Sequence, residues 1–233
     1  MSDANGLPRG LPVVVTGGAS GLGAAIARAL ERLGCPLAVL DRRPAQVGKS
    51  HEVDLADGEA TEALVRRIAE EADGLAAVVT CAGADSCGPL AAVPRAEWER
   101  VVRVNLLGTA AVIRAALPAL ERSGGRIVTV ASTLGLRGVS DATAYCASKF
   151  GVVGFTRALA AELAGRVPVT LLIPGGMRTP FFDGRDPRYQ PGPDAQLSDP
   201  DEVAAAVVFA LTRPRGCEVR EMVVCPSRET SWP

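Results

Sequence analysis

Short, continuously apolar runs rich in Val, Leu and Ala recur along this chain, and longer stretches follow whose apolar positions return every three or four residues. The first kind of run predicts a strand covered on both faces, and the second an amphipathic helix. LPVVVTG (11–17) reads as the first strand, and GLGAAIARALERLG (21–34) as a helix closed by Gly34. PLAVLD (36–41) predicts the second strand and HEVDL (51–55) a short third. GEATEALVRRIAEEADG (58–74) is a polar-faced helix with an acidic first turn and a glycine stop. A fourth strand (75–83), one long helix (96–124), a fifth strand (125–132) and a further helix (143–165) come next. The sixth strand (167–176), a helix (199–214) and a last strand (218–226) complete the pattern. Apolar strands joined by helices imply parallel βαβ units with right-handed crossovers, within a single α/β domain spanning 1–233. The irregular stretch 176–199 is too long for an idle connection and predicts a lid or substrate loop.

Composition narrows the field. Nearly half of the 233 residues are apolar and aromatics are few, which suits helices on a buried parallel sheet better than a β-sandwich. A formal charge of −1, with scattered arginines, gives no nucleic-acid-binding face. The six cysteines form no CxxC pair and the sole histidine is His51, so neither a zinc site nor a Ser-His-Asp triad is expected. The cysteines read as reduced thiols. The first ten residues are polar and turn-rich, with no signal-peptide core, so a soluble cytoplasmic protein without membrane contact is expected.

Two local patterns carry chemistry. The first strand ends in TGGASGLG (16–23) and runs straight into a helix. Gly17 permits a tight turn, Gly21 lets main chain approach a ligand, and Gly23 lets the helix pack close on the sheet. The helix N-terminus then offers N–H groups to a pyrophosphate. Asp41 ends the second strand 18 residues after Gly23, where a carboxylate accepts from ribose hydroxyls and repels a 2′-phosphate. Arg42 and Arg43 follow at once and offer that phosphate a counterion, so NAD is favoured over NADP without NADP being excluded. The second pattern is YCASK (145–149). The chain has only two tyrosines and two lysines, yet Tyr145 and Lys149 stand one helical turn apart, on one face.

TGGASGLG and YCASK resemble the TGxxxGxG turn and YxxxK signature of the short-chain dehydrogenase/reductase family, compact subtype. The likeness runs along nearly the whole chain. Asp54 in VDLAD resembles the family's adenine-contacting aspartate, Cys81-Ala82-Gly83 stands where NAG is usual, and Asn105 matches the helix asparagine. Ser132 precedes Tyr145 by 13 residues, and PGGMRT (174–179) resembles a PGxxxT segment. The resemblance implies a Rossmann-type doubly wound sheet of about seven strands in the order 3-2-1-4-5-6-7. It implies a cofactor site of Gly17, Ser20, Gly21, Leu22, Gly23, Asp41, Arg42, Asp54, Leu55, Cys81, Ala82 and Gly83, with Tyr145, Lys149, Pro174, Gly175 and Thr179 beyond them. Two departures are notable: Cys81 loses the hydrogen bonds of an asparagine, and the C-terminus lacks the VDGG ending of acyl-carrier ketoreductases.

The reaction so implied is hydride transfer between a nicotinamide and a secondary alcohol or ketone. Tyr145 would be the acid/base, its pKa lowered by the nearby Lys149 ammonium. Ser132 would hold the substrate oxygen, Asn105 a water linking the lysine to solvent, and Lys149 the nicotinamide ribose. A different class of function, a dinucleotide-binding sensor or scaffold without redox chemistry, uses the same fold. Phe181, Phe182 and Tyr189 read equally as a lid over substrate or as the loop's own small core. Apolar residues on more than one face of the helices at 96–122 and 143–164 predict a helix-to-helix homodimer or homotetramer.

Overall fold

The computed structural model describes residues 6–232, so the first five residues of the polar N-terminal stretch and Pro233 lie outside it. Seven strands form one parallel sheet in the order 3-2-1-4-5-6-7. They are β1 (Val13–Thr16), β2 (Leu37–Asp41), β3 (Lys49–Glu52), β4 (Ala77–Thr80), β5 (Arg126–Val130), β6 (Val169–Pro174) and β7 (Glu221–Val224). The helices are α1 (Gly21–Arg32), α2 (Gly58–Glu71), α3 (Arg95–Val102), α4 (Gly108–Ser123), α5 (Thr143–Glu162) and α6 (Pro200–Leu211).

Period-two alternation divides the strand side chains between two cores. Val14, Val78 and Ile127 are in register on neighbouring strands and pack with residues of α2, α4 and the end of α5. Val13, Val15, Val79 and Val128 face the other way, against α1 and α6. Leu30, Leu120 and Leu211 are fully buried. Each such side chain contributes about 1.5–3 kcal/mol of apolar burial. Continuous apolar strands thus have a simple cause: both faces of the sheet are covered.

Two sequence expectations need correction. The third strand begins two residues early, at Lys49, and ends at Glu52, because Ala38 to Asp41 pair with 49–52, of which only His51 and Glu52 belong to HEVDL. The long helix expected over 96–124 is interrupted at Arg103–Leu107, where a π-type turn makes the Gly108 N–H reach the Arg103 carbonyl. A Cβ on Gly108 would stand 2.8 Å from the Leu55 carbonyl oxygen, so α4 can begin there only with glycine. Arg95–Ser123 is long and apolar enough to cross a membrane by length and composition, yet more than half of its most apolar window is packed inside the fold.

Candidate active site

A cleft of about 1120 Å³ runs along the C-terminal ends of the strands, from the glycine turn to the 176–189 segment. This is where an open parallel sheet places its ligand. At one end the chain leaves β1 through Gly17, whose φ of +72° is left-handed and whose Cβ would lie 2.7 Å from the Ala82 Cα. A Cβ on Gly23 would collide with the Gly17 carbonyl oxygen. Ser20 precedes α1 without capping it, so its side chain leaves the first-turn N–H groups to other acceptors. A pyrophosphate fits that cradle. The Asp41 carboxylate accepts from Ala19 N (3.0 Å) and Arg43 N (3.1 Å), while Arg43 Nη2 donates to Ser20 Oγ (3.1 Å). All the expected cofactor residues line this one cleft.

Three of them sit in unexpected company. Asp54 binds the Arg100 guanidinium through both oxygens (2.8 and 3.1 Å) and accepts from Ala56 N. Partial burial would raise its pKa, but these hydrogen bonds outweigh it and hold the carboxyl below its ordinary range. Cys81 and Ala82 both donate main-chain N–H groups to Thr16 Oγ1, at 3.1 Å each. Where an asparagine's hydrogen bonds are lost at Cys81, a β1 hydroxyl therefore holds the main chain. Burial pushes the Cys81 thiol up to about 12, so it stays protonated.

At the middle of the cleft, Ser132 lies just beyond β5 and Tyr145 and Lys149 on the first two turns of α5. A short turn holds them together. Ser132 Oγ accepts from Leu134 N (3.1 Å), and a Cβ on Gly135 would meet the Lys149 carbonyl oxygen at 2.8 Å, so the turn lies directly on α5. The Ser132 hydroxyl stands close enough to the Tyr145 hydroxyl to act against the rise of its pKa. Lys149 is buried, 5.6 Å from the Tyr145 ring centroid, and donates to the Val130 carbonyl at 2.9 Å.

The electrostatics differ from the expectation that lysine lowers the tyrosine pKa. Burial dominates and pushes the Tyr145 phenol above its ordinary value. The opposing influences are the Ser132 hydroxyl and the charge of Arg185. The same burial pushes Lys149 down to about 8. Asn105, inside the π-type turn, is also more occupied than expected. Its Oδ1 accepts from Ala84 N (2.7 Å), and its Nδ2 donates to Ala84 O and Ser148 Oγ (2.9 Å each). Its side chain thereby fixes the segment after Gly83 against α5.

The far end of the cleft joins the loop aromatics to residues that the sequence did not single out: Asp85, Asp141, Arg185 and Glu229. Phe181 packs on Tyr145 (centroids 5.6 Å apart) and on Phe182. Arg185 lies over both phenylalanine rings and pairs with Asp85 at 2.8 Å. Tyr189 donates to Asp141 at 3.0 Å. The loop aromatics thus pack on one another and, through Phe181, on Tyr145. The C-terminal tail closes the remaining side: Glu229 accepts from Gly176 N (2.8 Å) and Ser231 Oγ (2.7 Å), and Ser231 meets Thr133 (2.7 Å). A carboxylate within three residues of a known loop motif is a weak signal, and nothing local in the sequence marked Asp85 or Glu229.

Comparison with known proteins places this geometry. The short chain dehydrogenase family profile matches residues 12–190. The chain is 34% identical over 221 residues to the D-threitol dehydrogenase of Mycolicibacterium smegmatis, covering 86% of this chain and 85% of that one. The ligand-free aldohexose dehydrogenase of Thermoplasma acidophilum superposes with a TM-score of 0.82 at 26% identity, covering 94% and 95% of the two chains. A short chain dehydrogenase from Burkholderia cenocepacia, solved in complex with NADP, gives 0.82 at 28% identity, with 94% and 97% covered.

Proposed function

Because the chain belongs to the short-chain dehydrogenase/reductase family, we propose that it moves a hydride between a nicotinamide dinucleotide and a secondary alcohol or ketone, with Tyr145 as acid/base. The carrying observation is the meeting of Ser132, Tyr145 and Lys149 on one wall of the cleft that begins at the glycine turn. When bound, the nicotinamide supplies the two-electron acceptor or donor. The protein handles the proton. In oxidation Tyr145 takes it from the substrate hydroxyl, while Ser132 holds the oxygen on which charge changes. Lys149, charged below about pH 8, places a cation beside the ring and would hold the ribose of a bound cofactor. Burial disfavours the phenolate, so oxidation rises with pH whereas reduction, which uses the phenol as acid, needs no such rise.

NAD is the favoured cofactor. The Asp41 carboxylate is anchored at the end of β2 and would repel a 2′-phosphate, with Arg42 and Arg43 as the opposing influence. The enzyme assembles as a dimer or tetramer through its long helices, on whose outer side Leu107 and Phe150 are about half exposed. The functional test is a panel of alcohols and ketones with NAD, NADH, NADP and NADPH, read by nicotinamide absorbance. Tight cofactor binding without turnover on any member would leave a nucleotide-binding protein instead.

A further inference from the structure

The reaction just proposed leaves the substrate open, and the pocket beyond Tyr145 narrows it. Asp85 and Arg185 face each other there across 2.8 Å, with side chains only 8% and 16% exposed. They come from opposite walls: Asp85 follows the β4 loop, and Arg185 belongs to the segment after β6. Each is built into place. Asp85 Oδ1 accepts from Ser86 N (2.7 Å) and Oδ2 from the Cys87 thiol (3.2 Å). The Arg185 guanidinium lies 4.7 and 4.6 Å from the centroids of Phe181 and Phe182. Asp141, left-handed at φ +59°, ties both walls together, its carbonyl accepting from Gly88 N (2.7 Å) and its carboxylate from Tyr189.

We infer that Asp85 and Arg185 are the specificity residues of this site, and that they select an uncharged vicinal diol or polyol and its hydroxyketone. The inference rests on the dehydrogenase reading above. Its chemistry follows from what the pair offers and lacks. The arginine fork keeps N–H groups beyond those given to Asp85 and to the Tyr189 carbonyl (3.5 Å), and the carboxylate keeps lone pairs beyond the three donors it receives. A vicinal hydroxyl both donates and accepts, so it satisfies either partner without parting them. An anionic substrate must compete with Asp85 for the guanidinium, and a cationic one must compete with Arg185; each leaves a buried charge unpaired. A hydrocarbon alcohol leaves the spare donors and acceptors dry. The phenylalanine faces suit the C–H side of a polyol chain. Oxidation then converts one CH–OH to C=O: the hydride leaves carbon for the oxidised nicotinamide, and the proton leaves oxygen for Tyr145.

The test uses four-carbon substrates with the full chain: threitol, erythritol, sec-butanol and the α-hydroxybutyrate anion, each with NAD and with NADP. The wild type is expected to prefer a polyol over sec-butanol and over the anion by roughly 100-fold in kcat/KM. In the double variant Asp85→Leu/Arg185→Met that preference should collapse at least tenfold, chiefly through KM of the polyol. Replacing a buried ion pair by apolar residues commonly preserves folding, which a thermal melt verifies. If that variant does not fold, Arg185→Lys serves instead, with the polyol KM rising and the sec-butanol KM moving less. Equal losses on polyol and sec-butanol would reduce the pair to a structural role. A wild type that oxidises sec-butanol or the anion as readily as the polyols would overturn the specificity claim and leave the dehydrogenase reading intact. No oxidation of any of the four, with no reduction of the matching ketones, would overturn both.

Discussion

The two ends of the cleft are built on opposite plans. At the glycine turn the structure is main chain and absence: Gly17, Gly21 and Gly23 leave room, and under the proposed function N–H groups would do the binding. At the lid end it is side chain and presence. Phe181, Arg185, Asp85, Asp141 and Glu229 come from four segments that meet only in the folded chain. A main-chain site is local, so its requirements are written in consecutive residues. A side-chain site is a product of topology, so any one of its members looks ordinary in sequence.

The seam between these ends is where the largest loss is expected. Tyr145→Phe keeps the ring that packs on Phe181 and removes only the hydroxyl beside Ser132. Turnover should fall by roughly 10³-fold or more, with cofactor affinity within about twofold of wild type. Steady-state rates beside nicotinamide fluorescence titrations measure the two separately. Near-normal turnover would remove Tyr145 from the chemistry and break the division between a binding end and a reacting middle.

Next in size comes an attack on the main-chain end. Gly23→Val drives a side chain into the Gly17 carbonyl and Gly18 nitrogen, neither of which can yield without moving the turn. Overpacking of this kind costs about 1–3 kcal/mol in stability. The cradle should also lose dinucleotide affinity by roughly 100-fold or more, because the turn itself forms the site. Calorimetry reads the affinity and urea unfolding the stability. Intact binding would show that this end is no more dependent on glycine than the lid end is.

That asymmetry also accounts for what the sequence reveals. The strands, the sheet order and the residues around TGGASGLG and YCASK follow from periodicity, short spacing and family likeness. The π-type turn does not, because an apolar period of three to four continues through Arg103–Leu107 unchanged while the hydrogen bonds slip by one. The β3 boundary was missed for a related reason: an edge strand with exposed side chains at Lys49, Ser50 and Glu52 lacks the apolar signal of an inner one. The support of Cys81 by Thr16 spans 65 residues and has no local trace. The direction of the Tyr145 shift also lay beyond the sequence, since i,i+4 spacing gives proximity to Lys149 but not the burial that outweighs it.

Burial of Lys149 yields a third prediction, about the seam as a source of instability. The ammonium is pushed from an ordinary 10.5 down to about 8. Between those values the folded chain binds fewer protons at this position than the unfolded chain, so this group makes stability rise with pH; below pH 8 its full cost is present. The gain should be about 2 kcal/mol between about pH 7.5 and about pH 9.5. Cys81 and Cys87, raised by burial to about 12 and about 11, act in the opposite sense over the alkaline part of that range. The lysine is therefore read from the difference between wild type and Lys149→Met in urea midpoints at the two pH values. No difference would mean that the buried amine is solvated well enough to titrate normally.

The smallest expected effect tests whether the main-chain end carries any side-chain choice at all. Asp41 is the acidic residue that the proposed function makes its selector, held by Ala19 N and Arg43 N. Asp41→Ala removes the repulsion that a 2′-phosphate would meet and frees Arg43 from its main-chain tie, leaving Arg42 and Arg43 as counterions. The ratio of NADP to NAD in kcat/KM should rise by about 10-fold, equivalent to about 1.4 kcal/mol. Most of that change should come from lost NAD affinity, because the carboxylate also accepts from ribose hydroxyls. A rise confined to NADP would assign the effect to the lost repulsion and the arginines, with no part from the ribose hydroxyls. An unchanged ratio would place cofactor choice outside β2, and the glycine-turn end would then bind without discriminating, leaving all selectivity to the side chains at the other end of the cleft.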